Sequence, residues 1–377
     1  MGEGMRFADV PGLAEFKKRL VQSVQNGKIA HAQLFMGPEG ALNLPLALAY
    51  TTYLHCTNRG EDDACGECAA CQKSQRFVHP DTHFVFPVSN VKGDKDEDRF
   101  RADIRKSWRT FLTETPFGDV NDWTRFYGGE DKQANISKEE SREIIKTLSL
   151  KSFESPLKVM IIWQPEFMHP SAANGILKIL EEPPAQTFFL LVSNSPERLL
   201  PTILSRTQQL MVPLMSDADV DTYLQRFDLD AKKRAKIVNE AEGNLRLALE
   251  LRETETTDVH EQLAMWLRAC FKRDVPKLIG LADDFHEFDR QAQQSFLNHA
   301  LVLMRESLLV LGGANELLRS RDGEQKFVQD FSKVMNVTRV DRGQQLLSEA
   351  AFHLERNGSA KMIFLDLSMQ LSAVLTR

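Results

Sequence analysis

Along roughly the first two hundred residues, the pattern of hydrophobic and polar positions predicts strands and helices that alternate. Short apolar runs predict strands of a parallel sheet at residues 31–36, 82–87, 159–163 and 188–192. Apolar residues at helical spacing predict helices at residues 12–26, 43–55 and 170–182. Because strands and helices alternate, we expect an α/β fold with a parallel sheet flanked by helices on both faces.

The strand pattern ends near residue 214, and the rest of the chain predicts helices alone. We therefore expect three parts: an α/β domain at 1–213, a small helical lid at 214–255 and an all-helical C-terminal domain at 256–377. A polar segment at 254–257 predicts the hinge between the last two parts.

One segment of the first part, residues 88–135, does not fit the alternation. It begins with a run of mixed charges and continues with Trp108, Phe117, Trp123 and Tyr127. We interpret it as an insertion that carries its own helix at about 98–114.

Composition and charge restrict the class of protein. The chain has 377 residues, of which 42% are hydrophobic and 27% charged, as in an ordinary globular protein. Its net charge of −6 disfavours non-specific nucleic-acid binding and favours protein partners. No apolar run is long enough to cross a bilayer, and the start at Met1–Arg6 lacks the apolar stretch of a signal peptide. We expect a cytoplasmic protein with no membrane partner.

Four of the five cysteines lie within residues 56–71, at Cys56, Cys65, Cys68 and Cys71. Their spacing predicts a structural Zn²⁺ site, because paired thiolates on tight turns complete a tetrahedron of sulfur ligands. Four thiolates leave no open position, so a catalytic zinc is not expected. An iron–sulfur cluster and four reduced thiols without metal are the alternatives. Cys270 is predicted to be a core residue of a helix.

A turn at Gly37–Leu44 lies between a predicted strand and a predicted helix, which is the setting of a phosphate-binding loop. Gly37 and Gly40 provide its glycines, but Asn43 stands where the phosphate-binding lysine would be. Leu44 replaces the hydroxyl that would hold Mg²⁺. The loop is degenerate, and we expect no productive ATP binding.

The strand at 159–163 also lacks the acidic residues that hold Mg²⁺ and activate water in ATPases. Gln164 and Pro165 follow it, and Glu166 comes too late. The isolated chain is therefore predicted not to hydrolyse ATP.

Several segments in order resemble the bacterial clamp-loader family of AAA+ proteins. They are His31–Pro38, the four-cysteine segment, Asn174–Pro184, Arg198–Thr207 and Gly243–Arg246, and the resemblance covers roughly residues 7–250. The chain lacks the ATPase motifs but retains the Ser-Arg segment. In this it resembles the family's non-hydrolysing stator subunit rather than its motor subunits. The C-terminal helices are consistent with the family's collar domain.

The resemblance implies roles for single residues. Arg206 would act as an arginine finger on a neighbouring subunit's ATP, and Ser205 would orient its loop, although Thr207 departs from the family's cysteine. Asn194 and Arg246 occupy the positions called sensor 1 and sensor 2, where structural roles are equally expected.

The implied partners are the motor subunits and the delta subunit, and indirectly the sliding clamp and primed DNA, in the replication of DNA by DNA polymerase III. Three alternatives stay open: an active motor ATPase, a zinc-stabilised nucleic-acid-binding scaffold, and a scaffold without arginine-finger action.

Overall fold

The computed structural model describes residues 5–89, 97–129, 133–253, 259–288, 290–318, 322–355 and 358–376. The chain divides into two compact units, Met1–Arg252 and Glu253–Arg377. The helices of the expected lid lie in the first unit, and their separation from the α/β part at residue 213 stays a prediction. The expected hinge at 254–257 and most of the charged run at the start of the insertion lie outside the described residues.

A parallel sheet forms the centre of the first unit. Its strands are β1 (Ala32–Met36), β2 (Thr82–Val85), β3 (Lys158–Trp163), β4 (Thr187–Ser193) and β5 (Gln208–Met211). They lie in the order β2-β3-β4-β1-β5, and every pair is parallel. The four predicted strands are confirmed, whereas β5 was not predicted. It pairs with β1 at the sheet edge, and its polar, largely exposed residues form no apolar run.

Helices surround this sheet in the first unit. They are α1 (Ala14–Gln25), α2 (Asn43–His55), α3 (Ala69–Gln75), α4 (Glu97–Glu114), α5 (Val120–Phe126), α6 (Lys138–Ser149), α7 (Pro170–Glu181), α8 (Pro201–Leu204), α9 (Asp217–Leu224), α10 (Ala231–Ala241) and α11 (Leu245–Glu253). The predicted helices at 12–26, 43–55 and 170–182 are confirmed as α1, α2 and α7. Pro183 and Pro184 follow α7 directly and end it.

The two faces of the sheet pack against different helices, because successive side chains of a strand point in opposite directions. One cluster holds Met160, Ile162, Phe189 and Leu191 with apolar residues of α6 and α7. The other holds Val159, Ile161, Leu190 and Val192 with residues of α2 and α4. Both faces are covered, so the continuous apolar runs of β3 and β4 are explained and the α/β fold class is confirmed.

The insertion packs an aromatic cluster against the carboxyl end of β3. The ring of Trp108, in α4, stacks on Phe86 with the ring centroids 4.2 Å apart. Trp123, in α5, and Trp163, at the end of β3, each lie 5.0 Å from Trp108. The Trp123 indole also donates a hydrogen bond of 2.8 Å to the Pro87 carbonyl. The predicted helix of the insertion is thus confirmed as α4, and the described part of the insertion is built into the core.

The second unit is helical in its described residues. Its helices are α12 (Val259–Lys272), α13 (Val275–Glu287), α14 (Arg290–Leu311), α15 (Asp322–Ser332), α16 (Val337–Glu355) and α17 (Ala360–Thr376). Trp266 packs on Phe364 at 5.1 Å and donates to the Ser368 hydroxyl. Cys270 is fully buried in this core, where burial raises the pKa of its thiol to about 12. None of the helices in the described ranges has the length and apolar character that a bilayer span needs.

Candidate metal centre, phosphate loop and arginine-bearing loop

The four clustered cysteines are brought together by the ends of two helices. Cys56 follows the last residue of α2, Cys68 is the N-cap of α3, and Cys71 lies in its first turn. All four sulfur atoms lie within 4.8 Å of one another, with Cys56 and Cys65 3.6 Å apart and Cys65 and Cys71 3.9 Å apart. Tetrahedral zinc with bonds of about 2.3 Å to sulfur requires sulfur atoms about 3.8 Å apart. Four cysteines at this separation could hold a metal ion, and the donor set fits zinc.

The thiols of this cluster titrate differently. Burial raises the pKa of Cys71, and the neighbouring thiols of Cys68 and Cys56 act in the same direction. Burial also acts to raise the pKa of Cys68, but hydrogen bonds from Thr57 and from the Cys71 amide outweigh it and lower that pKa to about 6. A cation held by the four sulfur atoms would lower the pKa of each of these thiols.

The degenerate phosphate loop is filled by the protein's own side chains. Asn43 is 1% exposed and donates a hydrogen bond of 3.0 Å to the Ser193 carbonyl at the end of β4. Gly40 has a φ of +82°, and a Cβ atom at this position would lie 2.0 Å from the side chain of Asn244. Gly37 is equally confined, since a Cβ atom there would lie 2.4 Å from the Val212 carbonyl. The loop therefore packs against β4, the segment after β5 and the start of α11.

The carboxyl ends of β3 and β4 are joined by polar side chains. The side-chain nitrogen Nδ2 of Asn194 donates to the Pro38 carbonyl at 3.2 Å, and its side-chain oxygen Oδ1 accepts from Nε2 of Gln164 at 2.8 Å. The Glu166 carboxylate accepts from the backbone amides of Asn194 and Ser195, both at 3.1 Å. Burial raises the pKa of Glu166 although these amides oppose the rise. Asn194 and Glu166 thus connect the ends of β3 and β4. The sequence indicated a structural role as one of two options for Asn194 and no such role for Glu166.

Arg246 lies on α11 and faces the insertion. Its guanidinium makes a two-bonded pair with Asp122, at 2.6 and 3.1 Å. It also lies 2.8 Å from the Glu250 carboxylate and 3.6 Å from that of Asp119. The sequence indicated an ion pair as one of two equal options for Arg246, but it did not indicate Asp119 and Asp122. Asp119 is the N-cap of α5 and Asp122 is its third residue, and this capping pattern was the feature of the sequence that could have marked the two aspartates.

Arg206 lies two residues after the end of α8, and its side chain is 31% exposed. Its Nε and Nη2 atoms both lie 2.8 Å from one carboxylate oxygen of Glu181, the last residue of α7. Its Nη1 atom donates to the Thr202 carbonyl at 3.1 Å. Ser205 is exposed and its hydroxyl donates to Thr202 as well, at 3.2 Å, so it shapes the end of α8. Thr207 donates to the Ile203 carbonyl at 3.1 Å.

Comparison with known proteins decides the family. Residues 12–216, more than half of the chain, match the family described as DNA polymerase III, delta subunit. The chain belongs to this family. The resemblance to the delta-prime clamp-loader subunits, one member type of the AAA+ clamp loaders, is confirmed by relatives of that name.

Relatives of this clamp-loader family cover different shares of the chain. DNA polymerase III subunit delta' of Pseudomonas aeruginosa is 32% identical over 52% of this chain and 47% of its own length, so the chain spans about half of that relative. The delta' subunit of Bacillus subtilis is 25% identical over 81% of this chain and 80% of its own. A solved structure of a DNA polymerase III gamma subunit-related protein from Thermotoga maritima has a TM-score of 0.39 at 14% identity, over 95% of this chain and 99% of that one.

Restoring the lysine of the phosphate loop in this clamp-loader subunit should destabilise it. Asn43→Lys removes the bond to Ser193 and places an ammonium group at a position that is 1% exposed, so we expect the free energy of unfolding to fall by about 3 kcal/mol or more. Urea-induced unfolding measures the loss, and Asn26→Lys, at an exposed position after α1, should change it little. A stable Asn43→Lys variant that binds ATP would contradict the packing described for this loop.

Proposed function

We propose that this chain is the non-hydrolysing stator subunit of a DNA polymerase III clamp loader. It would assemble with the motor subunits and the delta subunit in the cytoplasm and help them to place the sliding clamp on primed DNA. Family membership supports a clamp-loader subunit. The observation that carries the finer proposal is the contrast between two sites: the phosphate loop is filled by Asn43 and Asn244, while Arg206 stays partly exposed.

The filled loop argues against a motor role. A motor subunit needs a lysine on the β- and γ-phosphates and a hydroxyl and an acid on Mg²⁺. Here Asn43 and Asn194 bond to backbone carbonyls, and one carboxylate oxygen of Glu166 accepts hydrogen bonds from two backbone amides. Since each of these side chains has a structural partner, ATP turnover by this chain would require several contacts to break together.

Arg206 is the residue that would act on a neighbour. Its charge is held by Glu181, which is 57% exposed, and an ion pair at this exposure contributes little stability. The Nη groups could therefore turn to a neighbouring subunit's triphosphate at low cost while Nε keeps its bond to Glu181. The planar fork of arginine then stabilises negative charge on the γ-phosphate, and Ser205 and Thr207 keep the end of α8 in shape through bonds to Thr202 and Ile203.

Glu181 should position Arg206 for this role. In Glu181→Gln the guanidinium keeps its charge but loses its anchor, so the kcat of ATP hydrolysis by the assembled complex should fall about three- to tenfold. Glu182→Gln, at the adjacent exposed residue, is the matched control and should behave as the wild type. A loss with Glu181→Gln as large as with removal of Arg206, or no loss, would contradict a positioning role.

Two measurements test the proposed function. Co-purification should recover this chain with the motor and delta subunits, and the ATPase of that complex should depend on this chain. The isolated chain should neither bind nor hydrolyse ATP, and turnover by the isolated chain would favour a motor subunit instead. A salt-dependent gel shift of DNA by the isolated chain would favour a nucleic-acid-binding scaffold. The acidic side chains of Glu61, Asp62 and Glu67, which are exposed beside the cysteines, argue against that function because they repel phosphate.

A further inference from the structure

The insertion contacts both the α/β core and the helices α9–α11. On the core side, Trp108 and Trp123 pack on Phe86 and Trp163. On the helical side, Phe117 makes an edge contact with Tyr223 of α9 at 5.8 Å, and Asp122 binds Arg246 of α11. The described part of the insertion therefore bridges two groups of elements that lie far apart in sequence.

The ionic part of this bridge lies next to the phosphate loop. Arg246 is surrounded by the carboxylates of Asp119, Asp122 and Glu250. Glu39, within the loop, is close enough for its negative charge to act on Asp119 and Glu250. Asn244, two residues before Arg246, fills the space above Gly40. The start of α11, the loop and the insertion thus meet at one place.

We propose that the insertion is a built-in substitute for a nucleotide: the Asp122 carboxylate takes the guanidinium of Arg246 and so holds α9–α11 against the α/β core. The inference rests on the proposed function only in that no ATP occupies this pocket. Three carboxylates around one guanidinium, with the charge of Glu39 acting on two of them, leave the place negative, so a triphosphate would be repelled by the same groups that hold the helices. Asp119 and Asp122 would in this way both close the structure and exclude nucleotide.

The two aspartates contribute unequally. Burial raises the pKa of Asp119 to about 6, and Asp122 and Glu39 add to the rise while Arg246 opposes it. Burial also acts on Asp122, but the hydrogen bonds and charge of Arg246, the Asp119 amide and the charge of Arg125 keep its pKa below the usual value. Asp122 makes two hydrogen bonds to Arg246, whereas Asp119 lies 3.6 Å from it, so Asp122 is the residue to test.

Amide hydrogen exchange of the full chain tests this link. In Asp122→Asn we expect amides of α9–α11 to exchange at least about tenfold faster, because Arg246 loses its charged partner while the helices themselves stay intact. Amides of α12–α17 should be unchanged. Asp228→Asn, at an exposed residue between α9 and α10, is the matched control. Asp119→Asn should speed the exchange of α9–α11 less than Asp122→Asn does.

A milder variant keeps the test decisive if Asp122→Asn does not fold. Arg246→Lys retains the charge but not the two-bonded geometry, and it should speed exchange in α9–α11 at least about threefold. Arg234→Lys, which alters a pair with Asp221 inside the same helices, is its control. Unchanged exchange in Arg246→Lys, or in a folded Asp122→Asn, overturns the inference. ATP binding by the wild-type chain would contradict the proposed function and the exclusion of nucleotide, whereas the exchange data decide by themselves whether Asp122 links the insertion to α9–α11.

Discussion

Replacement of Cys71 by Ser should abolish metal binding and unfold the segment between α2 and α3. The purified wild-type chain should carry one zinc ion, and the variant should carry almost none, because three sulfur ligands and a hydroxyl hold zinc far more weakly than four thiolates. The segment from Cys56 to Cys71 has few apolar residues of its own, so zinc binding must supply much of its folding free energy, and we expect a loss of about 5 kcal/mol or more. Metal analysis and thermal unfolding measure the two effects.

Cys270→Ser is the matched control for this experiment. Cys270 is buried in the second unit and lies in another hydrophobic cluster, so its replacement should leave the zinc content unchanged. Limited proteolysis should cut the Cys71→Ser variant between α2 and α3, since an unfolded loop is accessible to proteases. A variant with full zinc content, or a visible absorption band of an iron–sulfur cluster in the wild type, would contradict the zinc site.

Replacement of Arg206 by Ala should leave the chain folded and slow ATP hydrolysis at the neighbouring subunit's site by a factor of about 10³ or more. Folding should be preserved, because the exposed pair with Glu181 contributes at most about 1 kcal/mol. The total rate of ATP hydrolysis by the assembled complex should then fall by the fraction that this one site contributes to it. Arg206→Lys should be nearly as inactive, since an ammonium group cannot make the planar fork.

Arg109→Ala provides the comparison for Arg206→Ala, because Arg109 is an exposed arginine of α4 outside the sites discussed above. Steady-state and single-turnover ATPase of the reconstituted complex, with equal amounts of each variant incorporated, separates lost chemistry from lost assembly. Normal single-turnover rates with Arg206→Ala in a fully assembled complex would leave this chain a scaffold without arginine-finger action.

Local patterns in the sequence were sufficient for most of the first unit. The runs in β3 and β4 are continuous and apolar because both faces of the sheet are covered, and a run of that kind can be recognised without a structure. The end of α7 follows from the two prolines after it, and the spacing of the four cysteines predicted their meeting. β5 was missed because an edge strand made of Gln208 and Gln209 has no local signal for burial.

The sequence by itself determined four of the five strands of the sheet and the helices α1, α2, α4 and α7, the degeneration of the phosphate loop and the four candidate ligands. Only the tertiary structure decided what fills that loop and what holds the arginines. Asn244 meets Gly40, Asp122 meets Arg246 and Glu181 meets Arg206. The partners in these pairs are separated by between 25 and 204 positions in the sequence. Spacing along the chain reports which residues share one helix face or one turn, whereas a contact between distant elements depends on the packing of the whole unit.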